Sequence, residues 1–233
     1  MVLSDNPAPV SSCVPPHDPK QRPANPCTRT ASYLQPYRAA VDRIGPRFEA
    51  LLWTSPETQL VRFRAITQMF DFRDHAILDA GCGRGDLARW LCREQVNYRR
   101  YLGVDAVPEM LQFAREQGLP NSEFQLLDFV ADEHAFCAAA EGGAPDVVVF
   151  SGSLNTLPQE MALAVVDRAW AACRVAVVFN FLSIFDGEDG EGPARKFSPV
   201  DVVRWALERT VLVAFRHDYL EGRDGTVVMR KSV

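Results

Sequence analysis

The chain has 233 residues, of which 47% are hydrophobic and 24% are charged, a size and composition typical of one α/β domain with or without an appendage. No run of 18 or more apolar residues occurs in it, so we expect no membrane-spanning helix and no membrane partner. Its formal net charge of −5 argues against a nucleic-acid partner, because a protein that binds nucleic acid uses a basic face to neutralise phosphates.

The six cysteines are scattered, and no two of them form a C-x-x-C pair. Zinc sites and disulfide frameworks use tighter spacings, so we expect buried thiols in a reducing, cytoplasmic compartment and no metal. An acidic loop contains Asp186, Glu188, Asp189 and Glu191, but its ligand register differs from that of calcium loops. We interpret this loop as a mobile, solvated lid.

The first part of the chain divides into two segments. Residues 1–31 are rich in proline and have almost no apolar periodicity, which predicts a disordered tail. Residues 32–72 follow a helical pattern broken at Gly45-Pro46, and Thr54-Ser55-Pro56-Glu57 is typical of a helix start. We expect this segment to be an N-terminal helical cap on a main domain that spans residues 73–233.

From residue 76 onward, apolar strands alternate with helical segments. The predicted strands are AILDA (76–80), YLGVD (101–105), EFQLL (123–127), PDVVVFS (145–151) and RVAVVFNF (174–181), followed by a hairpin of residues 210–215 and 226–230. A capping box at Thr156-Leu157-Pro158-Gln159 is expected to open one helix, and Ser198-Pro199 another. The order predicts a doubly wound, Rossmann-like α/β sheet of seven strands, mostly parallel, with an antiparallel C-terminal hairpin strand and helices on both faces. Its ligand should lie over the carboxyl ends of the strands.

A glycine-rich turn, D-A-G-C-G-R-G-D, joins the first predicted strand to the next helix. Glycine permits a tight turn and the close approach of another molecule at the start of a helix. A dinucleotide fingerprint would require glycine at position 86, which is Asp86 here, and Asp79 adds a second acid. Two acids without a basic partner favour a ligand with a cationic end over a diphosphate.

This turn resembles the first motif of class I S-adenosylmethionine-dependent methyltransferases. The family's second landmark, an acid after the second strand, is matched by Asp105, and its third, after the third strand, by Asp128-Phe129. The resemblance implies that Asp105 binds the ribose hydroxyls, that Asp128 accepts a hydrogen bond from the adenine amino group and that Phe129 packs on the adenine ring. The expected S-adenosylmethionine-binding residues are Asp79, Gly81, Cys82, Gly83, Asp86, Asp105, Ala106, Met110, Asp128, Phe129, Ser151 and Arg62, the last through the methionine carboxylate.

More narrowly, the chain resembles bacterial methyltransferase-domain proteins of undefined substrate. The residues that carry this resemblance are Trp53-Thr54-Ser55, Gln59, Arg62-Phe63, Gly85-Asp86-Leu87, Asn180-Phe181-Leu182-Ser183 and Arg216-His217-Asp218-Tyr219. It implies a fold and a cofactor without a methyl acceptor.

Four residues are candidates for catalysis, although methyl transfer from a sulfonium needs a general base only when the attacking atom carries a proton at neutral pH. They are Asn155, Asn180, His217 and Tyr219. His217 is the best candidate for a base because imidazole titrates near neutral pH. Each of the four also has a structural interpretation, and for Asn180 a buried hydrogen-bonding role is favoured.

The resulting hypothesis is an S-adenosylmethionine-dependent methyltransferase that acts on an oxygen or nitrogen of a small molecule. One alternative is a protein methyltransferase that uses the proline-rich tail as a docking arm. A second is a regulatory domain that binds the cofactor without transferring a methyl group. The sequence leaves the oligomeric state and the acceptor open.

Overall fold

The computed structural model describes residues 31–138, 143–186 and 193–232. The predicted disordered tail up to residue 30 and the acidic loop at residues 187–192 lie outside these ranges. The helices are α1 Gln35–Ile44, α2 Pro56–Met69, α3 Asp86–Arg93, α4 Pro108–Glu116, α5 Ala135–Ala138, α6 Gln159–Ala172 and α7 Pro199–Leu207. The strands are β1 Ala76–Ala80, β2 Arg100–Asp105, β3 Ser122–Leu126, β4 Val147–Phe150, β5 Ala176–Ser183, β6 Lys196–Phe197, β7 Val213–Arg216 and β8 Asp224–Arg230.

The strands form one mixed sheet in the order β3-β2-β1-β4-β5-β8-β7, with β6 paired to the end of β5. β1 to β6 pair in parallel, whereas β8 lies antiparallel between β5 and β7. The predicted doubly wound sheet with an antiparallel hairpin strand is therefore confirmed. The order reverses between β1 and β4, which is where ligands of such sheets bind. The two-residue strand β6 is an addition to the seven predicted strands, since so short a segment has no periodicity to detect.

The sheet is buried on both faces because its central strands are apolar at consecutive positions. Val147 and Val149 of β4 pack in a cluster with Phe63 and Ile66 of α2. The intervening Val148, like Phe150, packs in the opposite cluster with α6 and α7. Successive side chains of a strand point to opposite faces, so an unbroken apolar run is what a strand between two helical layers requires.

Two of the three helix starts predicted from capping residues are confirmed. The Ser55 hydroxyl accepts the Thr58 backbone N–H, and the Thr58 hydroxyl accepts the Ser55 N–H, which completes a capping box at α2. Ser198 caps α7 through the Asp201 N–H. The prediction at Thr156 is wrong: Pro158 occupies the N-cap of α6 without a side-chain cap, and Thr156 lies in the preceding turn.

α1 packs away from the sheet, against the chain that follows β2. Ala40 and Val41 of α1 form a small apolar cluster with Ala50, Val107 and Met110. Since residues 107 and 110 begin α4 just beyond the carboxyl end of β2, α1 lies beside the ligand-facing edge of the sheet. The domain boundary expected after Phe72 stays a prediction. No helix within the described ranges has the length and apolarity that crossing a bilayer requires.

Candidate active site

The turn after β1 is built for close approach to the carboxyl edge of the sheet. Gly81, Gly83 and Gly85 all have positive φ angles, of 79°, 51° and 72°. A Cβ atom on Gly81 would lie 2.3 Å from the Cβ of Ser153, so no other residue fits there without movement. The Gly81 and Cys82 N–H groups both donate to the Val104 carbonyl, at 2.8 and 3.0 Å, which fixes the turn against β2.

The Asp105 carboxylate ties the glycine turn to the start of α4. Its Oδ2 accepts the Gly83 N–H at 2.8 Å, and its Oδ1 accepts the Val107 N–H at 2.9 Å. Each oxygen keeps a lone pair beyond its backbone bond, because a carboxylate oxygen accepts two hydrogen bonds. Asp105 therefore faces the cavity as an oriented acceptor pair, which is the geometry that two neighbouring hydroxyls require.

The Asp128 carboxylate, after β3, is shared between its own loop and the N-terminal region. The Val130 and Ala131 N–H groups both donate to Oδ1 at 3.0 Å. The Tyr33 hydroxyl, from the turn before α1, lies 3.0 and 2.9 Å from the two oxygens. This contact crosses 95 residues of sequence and joins α1 to the edge of the sheet.

The segment after β4 forms the opposite wall of the cavity. The Ser153 hydroxyl donates to the Ala80 carbonyl at 2.5 Å, and the Gly152 N–H donates to Oδ1 of Asn180 at 2.8 Å. Gly152 has a φ of 73°, and a Cβ there would lie 2.6 Å from the Trp53 ring. Trp53 is thus packed directly on the backbone of this wall.

These elements enclose two adjoining cavities that share the glycine turn, Leu51, Trp53 and Ser151. The larger cavity, about 690 Å³, is lined by Tyr33, Leu34, Tyr37, Leu51, Trp53, Gly81, Gly83, Asp105, Ala106, Val107, Met110, Asp128, Phe129, Val130, Ser151, Gly152, Ser153, Thr156 and Leu157. The smaller cavity, about 300 Å³, is lined by Leu51, Trp53, Gln59, Phe63, Asp79, Gly81, Cys82, Gly83, Asp86, Leu87 and Ser151.

The smaller cavity concentrates buried acids. Asp79 is 2% exposed and accepts the Tyr101 hydroxyl with one oxygen, while its other oxygen has no partner among the described residues. Burial raises the pKa of the Asp79 carboxyl from its usual value near 4 to about 7. Repulsion from Asp105 and Asp86 adds to the increase and the Tyr101 bond opposes it. At neutral pH such a carboxyl is only partly ionised, and a cation bound beside it would favour the ionised form.

α1 and the turn before it cover part of the larger cavity through Tyr37 and through Tyr33 and Leu34, respectively. Burial, with a contribution from the charge of Asp105, raises the pKa of the Tyr37 hydroxyl to about 12, although a hydrogen bond with Thr156 opposes this. The hydroxyl therefore stays protonated at neutral pH. It is a hydrogen-bond donor inside the cavity and not a base.

The structure brings nearly all of the residues predicted for the cofactor to one of these cavities. Those that line the larger, the smaller or both are Asp79, Gly81, Cys82, Gly83, Asp86, Asp105, Ala106, Met110, Asp128, Phe129 and Ser151. They come from the ends of four neighbouring parallel strands, which explains why distant motifs in the sequence meet in space.

Arg62 is the exception: its guanidinium is paired within the protein, and its pairing with a ligand carboxylate stays a prediction. Its guanidinium forms a bidentate ion pair with Asp224 of β8, at 2.6 and 2.5 Å, and both side chains are buried. The Trp53 ring covers the guanidinium at 4.6 Å. Arg62 lines neither cavity, because its charge is held by a residue 162 positions away in the chain.

The four catalytic candidates do not line the cavities either. The Asn180 side chain accepts the backbone N–H of Gly152, as described above. The His217 ring stacks on Phe215, with ring centroids 5.7 Å apart, and the Tyr219 hydroxyl is bonded to Thr226 at 2.6 Å. Asn155 contributes its backbone carbonyl to the Arg195 N–H. None of the four reaches the reacting region in this structure, although the sequence placed them near the ligand-facing edge.

Several lining residues were not predicted. Tyr33, Tyr37, Trp53 and Thr156 face the larger cavity, and Gln59 faces the smaller one. Gln59 offered a signal, since it shares the buried face of α2 with Phe63 and Ile66, where a polar residue needs a reason. The tyrosines offered none, because their role depends on how α1 docks. Among the described residues no group of three or more His, Cys, Asp or Glu side chains is placed to hold a metal ion.

Comparison with known proteins decides the family. Residues 77–175, from β1 to the start of β5, match a family model described as a methyltransferase domain. Over residues 77–175 the chain is therefore similar to S-adenosylmethionine-dependent methyltransferase domains. The match covers the glycine turn and both later acids, so the methyltransferase expected from the motifs is confirmed.

Solved structures of low identity share the fold of this methyltransferase. Magnesium protoporphyrin IX methyltransferase (ChlM) from Synechocystis PCC 6803 with bound SAH has a TM-score of 0.59 at 16% identity, over 76% of this chain and 83% of that one. An O-methyltransferase family protein from Burkholderia thailandensis has a TM-score of 0.64 at 17% identity, over 84% and 62%. The pyocyanin biosynthetic protein PhzM has a TM-score of 0.60 at 17% identity, over 84% and 62%. No curated protein sequence matches the chain significantly.

The lining of the cavities fits the cofactor of this methyltransferase. S-adenosylmethionine carries a sulfonium, an ammonium, a carboxylate and two ribose hydroxyls. Buried acids with unused acceptor capacity suit the cations, the oriented Asp105 carboxylate suits a diol, and the glycine turn leaves room for a ligand against the backbone.

Proposed function

We propose that the protein transfers a methyl group from S-adenosylmethionine to an oxygen or nitrogen atom of a small molecule. The observation that carries the proposal is the roofed cavity at the carboxyl edge of the sheet. Tyr33, Leu34 and Tyr37 line it together with the glycine turn, so an acceptor would share this partly covered space with the cofactor. Such a space suits a small molecule better than a protein surface.

In this proposal the cofactor spans both cavities. Its adenosine lies in the larger cavity, where Asp105 accepts the ribose hydroxyls, Asp128 faces the adenine amino group and Phe129 packs on the ring. Its methionine moiety lies in the smaller cavity, where Asp79 and Asp86 face the ammonium. The two cavities share Gly81, Gly83 and Ser151, which would then lie alongside the sulfur.

The cofactor supplies an electrophilic methyl group, and the chain's task is to hold the acceptor in line with it and to exclude water. Tyr37 and Thr156 are two of the hydroxyl-bearing residues that line the larger cavity besides the acids proposed for the cofactor. Because the Tyr37 hydroxyl keeps its proton, we assign it to orienting the acceptor by donating a hydrogen bond. An amine or a phenolate needs no base from the protein for this reaction.

Two of the similar structures support a small acceptor. The names of ChlM and PhzM refer to magnesium protoporphyrin IX and to pyocyanin biosynthesis. Proteins of one fold act on many different acceptors, so these names support a small acceptor by analogy alone. The roofed cavity and the net charge are the features of this chain that favour it.

Binding of S-adenosylhomocysteine, followed by titration calorimetry, tests the cofactor site. We expect the wild-type protein to bind it and Asp105→Asn to weaken binding at least about tenfold, because the variant removes a charged acceptor from two hydroxyls. Glu109→Gln is the matched control: it removes the same charge from an exposed position on α4, outside both cavities. Folded wild-type protein that binds no S-adenosylhomocysteine would overturn the proposal.

Turnover tests the acceptor class. The protein is incubated with S-adenosylmethionine and a panel of amines, phenols, carboxylic acids and peptides, and release of S-adenosylhomocysteine is measured. Turnover of a small molecule, retained when residues 1–31 are deleted, supports the proposal. Turnover of peptides alone, lost on that deletion, favours the protein methyltransferase. Tight cofactor binding without turnover across the panel favours the regulatory domain.

A further inference from the structure

The smaller cavity has an unusual balance of donors and acceptors. Three residues that line it each have a buried oxygen atom without a hydrogen-bond partner among the described residues: Oδ1 of Asp79, Oδ2 of Asp86 and Oγ of Ser151. Two of them belong to carboxylates, which only accept hydrogen bonds when ionised. An ammonium with three N–H donors meets this need, whereas a carboxylate would be repelled.

A methionine moiety nevertheless brings a carboxylate together with its ammonium. No lysine, arginine or histidine is among the described residues that line either cavity. Arg62 on α2 is ion-paired with Asp224. Arg89 is ion-paired with Asp86, and its side chain is half exposed. A cationic partner for the carboxylate is therefore lacking in the described lining.

Gln59 supplies the missing donor. It lies in the second turn of α2, three residues before Arg62, and is 7% exposed. Its backbone N–H donates to the Ser55 carbonyl, but its side-chain amide makes no hydrogen bond within the part of the chain that the structure describes. Neither amide atom is among the fully buried atoms that lack a partner, so the amide keeps accessible surface in the cavity wall, where a ligand can reach it.

We propose that the side-chain amide of Gln59 donates a hydrogen bond to the α-carboxylate of the cofactor's methionine moiety. The assignment rests on the placement of that moiety in the smaller cavity. Asp79 and Asp86 only accept hydrogen bonds when ionised, so the Gln59 amide is a donor that this wall offers to a carboxylate, beside the Ser151 hydroxyl. Recognition of the methionine end is then asymmetric, with ionised acids for the ammonium and a neutral donor for the carboxylate.

Two ligands separate this role from a structural one. S-adenosylhomocysteine carries the carboxylate, and S-adenosyl-3-thiopropylamine is the same molecule without it. Gln59→Met preserves the length of the side chain. In titration calorimetry we expect this variant to bind S-adenosylhomocysteine about tenfold more weakly than the wild type. The same variant should bind the decarboxylated analogue within about twofold of the wild type, since the lost donor has no counterpart there.

A charged variant reverses the preference. Gln59→Glu places a third acid in the smaller cavity, so we expect it to lower the affinity for S-adenosylhomocysteine more than Gln59→Met does. Its affinity for the decarboxylated analogue, which keeps the ammonium, should equal or exceed that of the wild type. Gln68→Met is the matched control, because Gln68 is exposed two and a half turns later on the same helix.

The outcomes are distinct. An equal loss of affinity for both ligands in Gln59→Met would assign Gln59 a structural role and overturn the proposal. Unchanged affinity for both ligands would also overturn it. Wild-type protein that binds neither ligand would overturn the cofactor placement together with this assignment. Binding of both ligands by the wild type, with selective loss of the carboxylate-bearing one in the variant, supports it.

Discussion

The Tyr33 hydroxyl binds both carboxylate oxygens of Asp128, at 3.0 and 2.9 Å, across 95 residues of sequence. Asp128 is also the acid that the family resemblance assigns to the adenine amino group. With two backbone N–H groups already on Oδ1, the carboxylate has little remaining acceptor capacity. In the proposed complex the Tyr33 hydroxyl and the adenine amino group would both approach Oδ2 of Asp128, because Oδ1 already accepts two backbone N–H groups.

We expect Tyr33→Phe to tighten the binding of S-adenosylhomocysteine about three- to tenfold, because the variant frees a hydrogen-bond acceptor for the adenine amino group. Titration calorimetry measures the change. Tyr37→Phe is the control, since its hydroxyl interacts with Thr156 and not with Asp128. Weaker binding by Tyr33→Phe would mean that α1 docking helps the cofactor and that no competition exists.

The raised pKa of Asp79 predicts that cofactor binding depends on pH. With its pKa near 7, the carboxyl is largely protonated at pH 6 and must release its proton when an ammonium binds beside it. We expect affinity for S-adenosylhomocysteine to rise about tenfold between pH 6 and pH 8. The binding heat at pH 6.5 should change between buffers of different ionisation enthalpy. Asp79→Asn should abolish both effects.

The same carboxyl predicts a pH-dependent effect on stability. Its pKa is higher in the folded protein than the usual value near 4, so its favourable contribution is present in acid and is lost as the pH rises through 7. Asp79→Asn, which keeps an acceptor for the Tyr101 hydroxyl, should therefore raise the unfolding temperature more at pH 8 than at pH 5. Asp71→Asn should give no such increase, because the exposed Asp71 has its pKa lowered to about 2 by Arg73. An equal shift at both pH values for Asp79→Asn would contradict the argument.

The buried pair of Arg62 and Asp224 predicts strong coupling between α2 and β8. Arg62→Met removes the guanidinium from a carboxylate that is fully buried, which should cost about 3 kcal/mol in the free energy of unfolding. The double variant Arg62→Met/Asp224→Leu should recover most of the loss, since it removes both charges. Urea unfolding of the two single variants and the double variant gives the coupling energy. A loss below about 1 kcal/mol in Arg62→Met would contradict this account.

The strands and the glycine turn were predictable because their signals are local. An apolar run such as VVVF fits only a strand covered on both faces, and D-A-G-C-G-R-G-D fixes both a tight turn and a helix start. Asp105 and Asp128 were predicted from the family resemblance, and they meet because the ends of parallel strands lie at one edge of the sheet.

The residues that sequence reasoning missed or misplaced depend on distant partners. Nothing near Arg62 indicates that Asp224 holds it, and nothing near Tyr33 indicates Asp128. Thr156 has the spacing of a capping box, yet its hydroxyl interacts with Tyr37 and Pro158 begins the helix. His217 and Tyr219 are close in sequence to a strand of the sheet, but aromatic stacking and a bond to Thr226 keep them out of the cavities.

The position of β8 between β5 and β7 has a consequence for synthesis of the protein. Until a ribosome has made residues 224–230, β5 has an open edge and β7 has no partner strand. The ion pair between Arg62 and Asp224 cannot yet form either. The pairing that closes the sheet therefore joins the last described strand to segments made much earlier, a non-local step that folds slowly. We infer that a nascent chain emerging only as far as residue 223 exposes an unpaired strand edge, which is the kind of surface that chaperones protect.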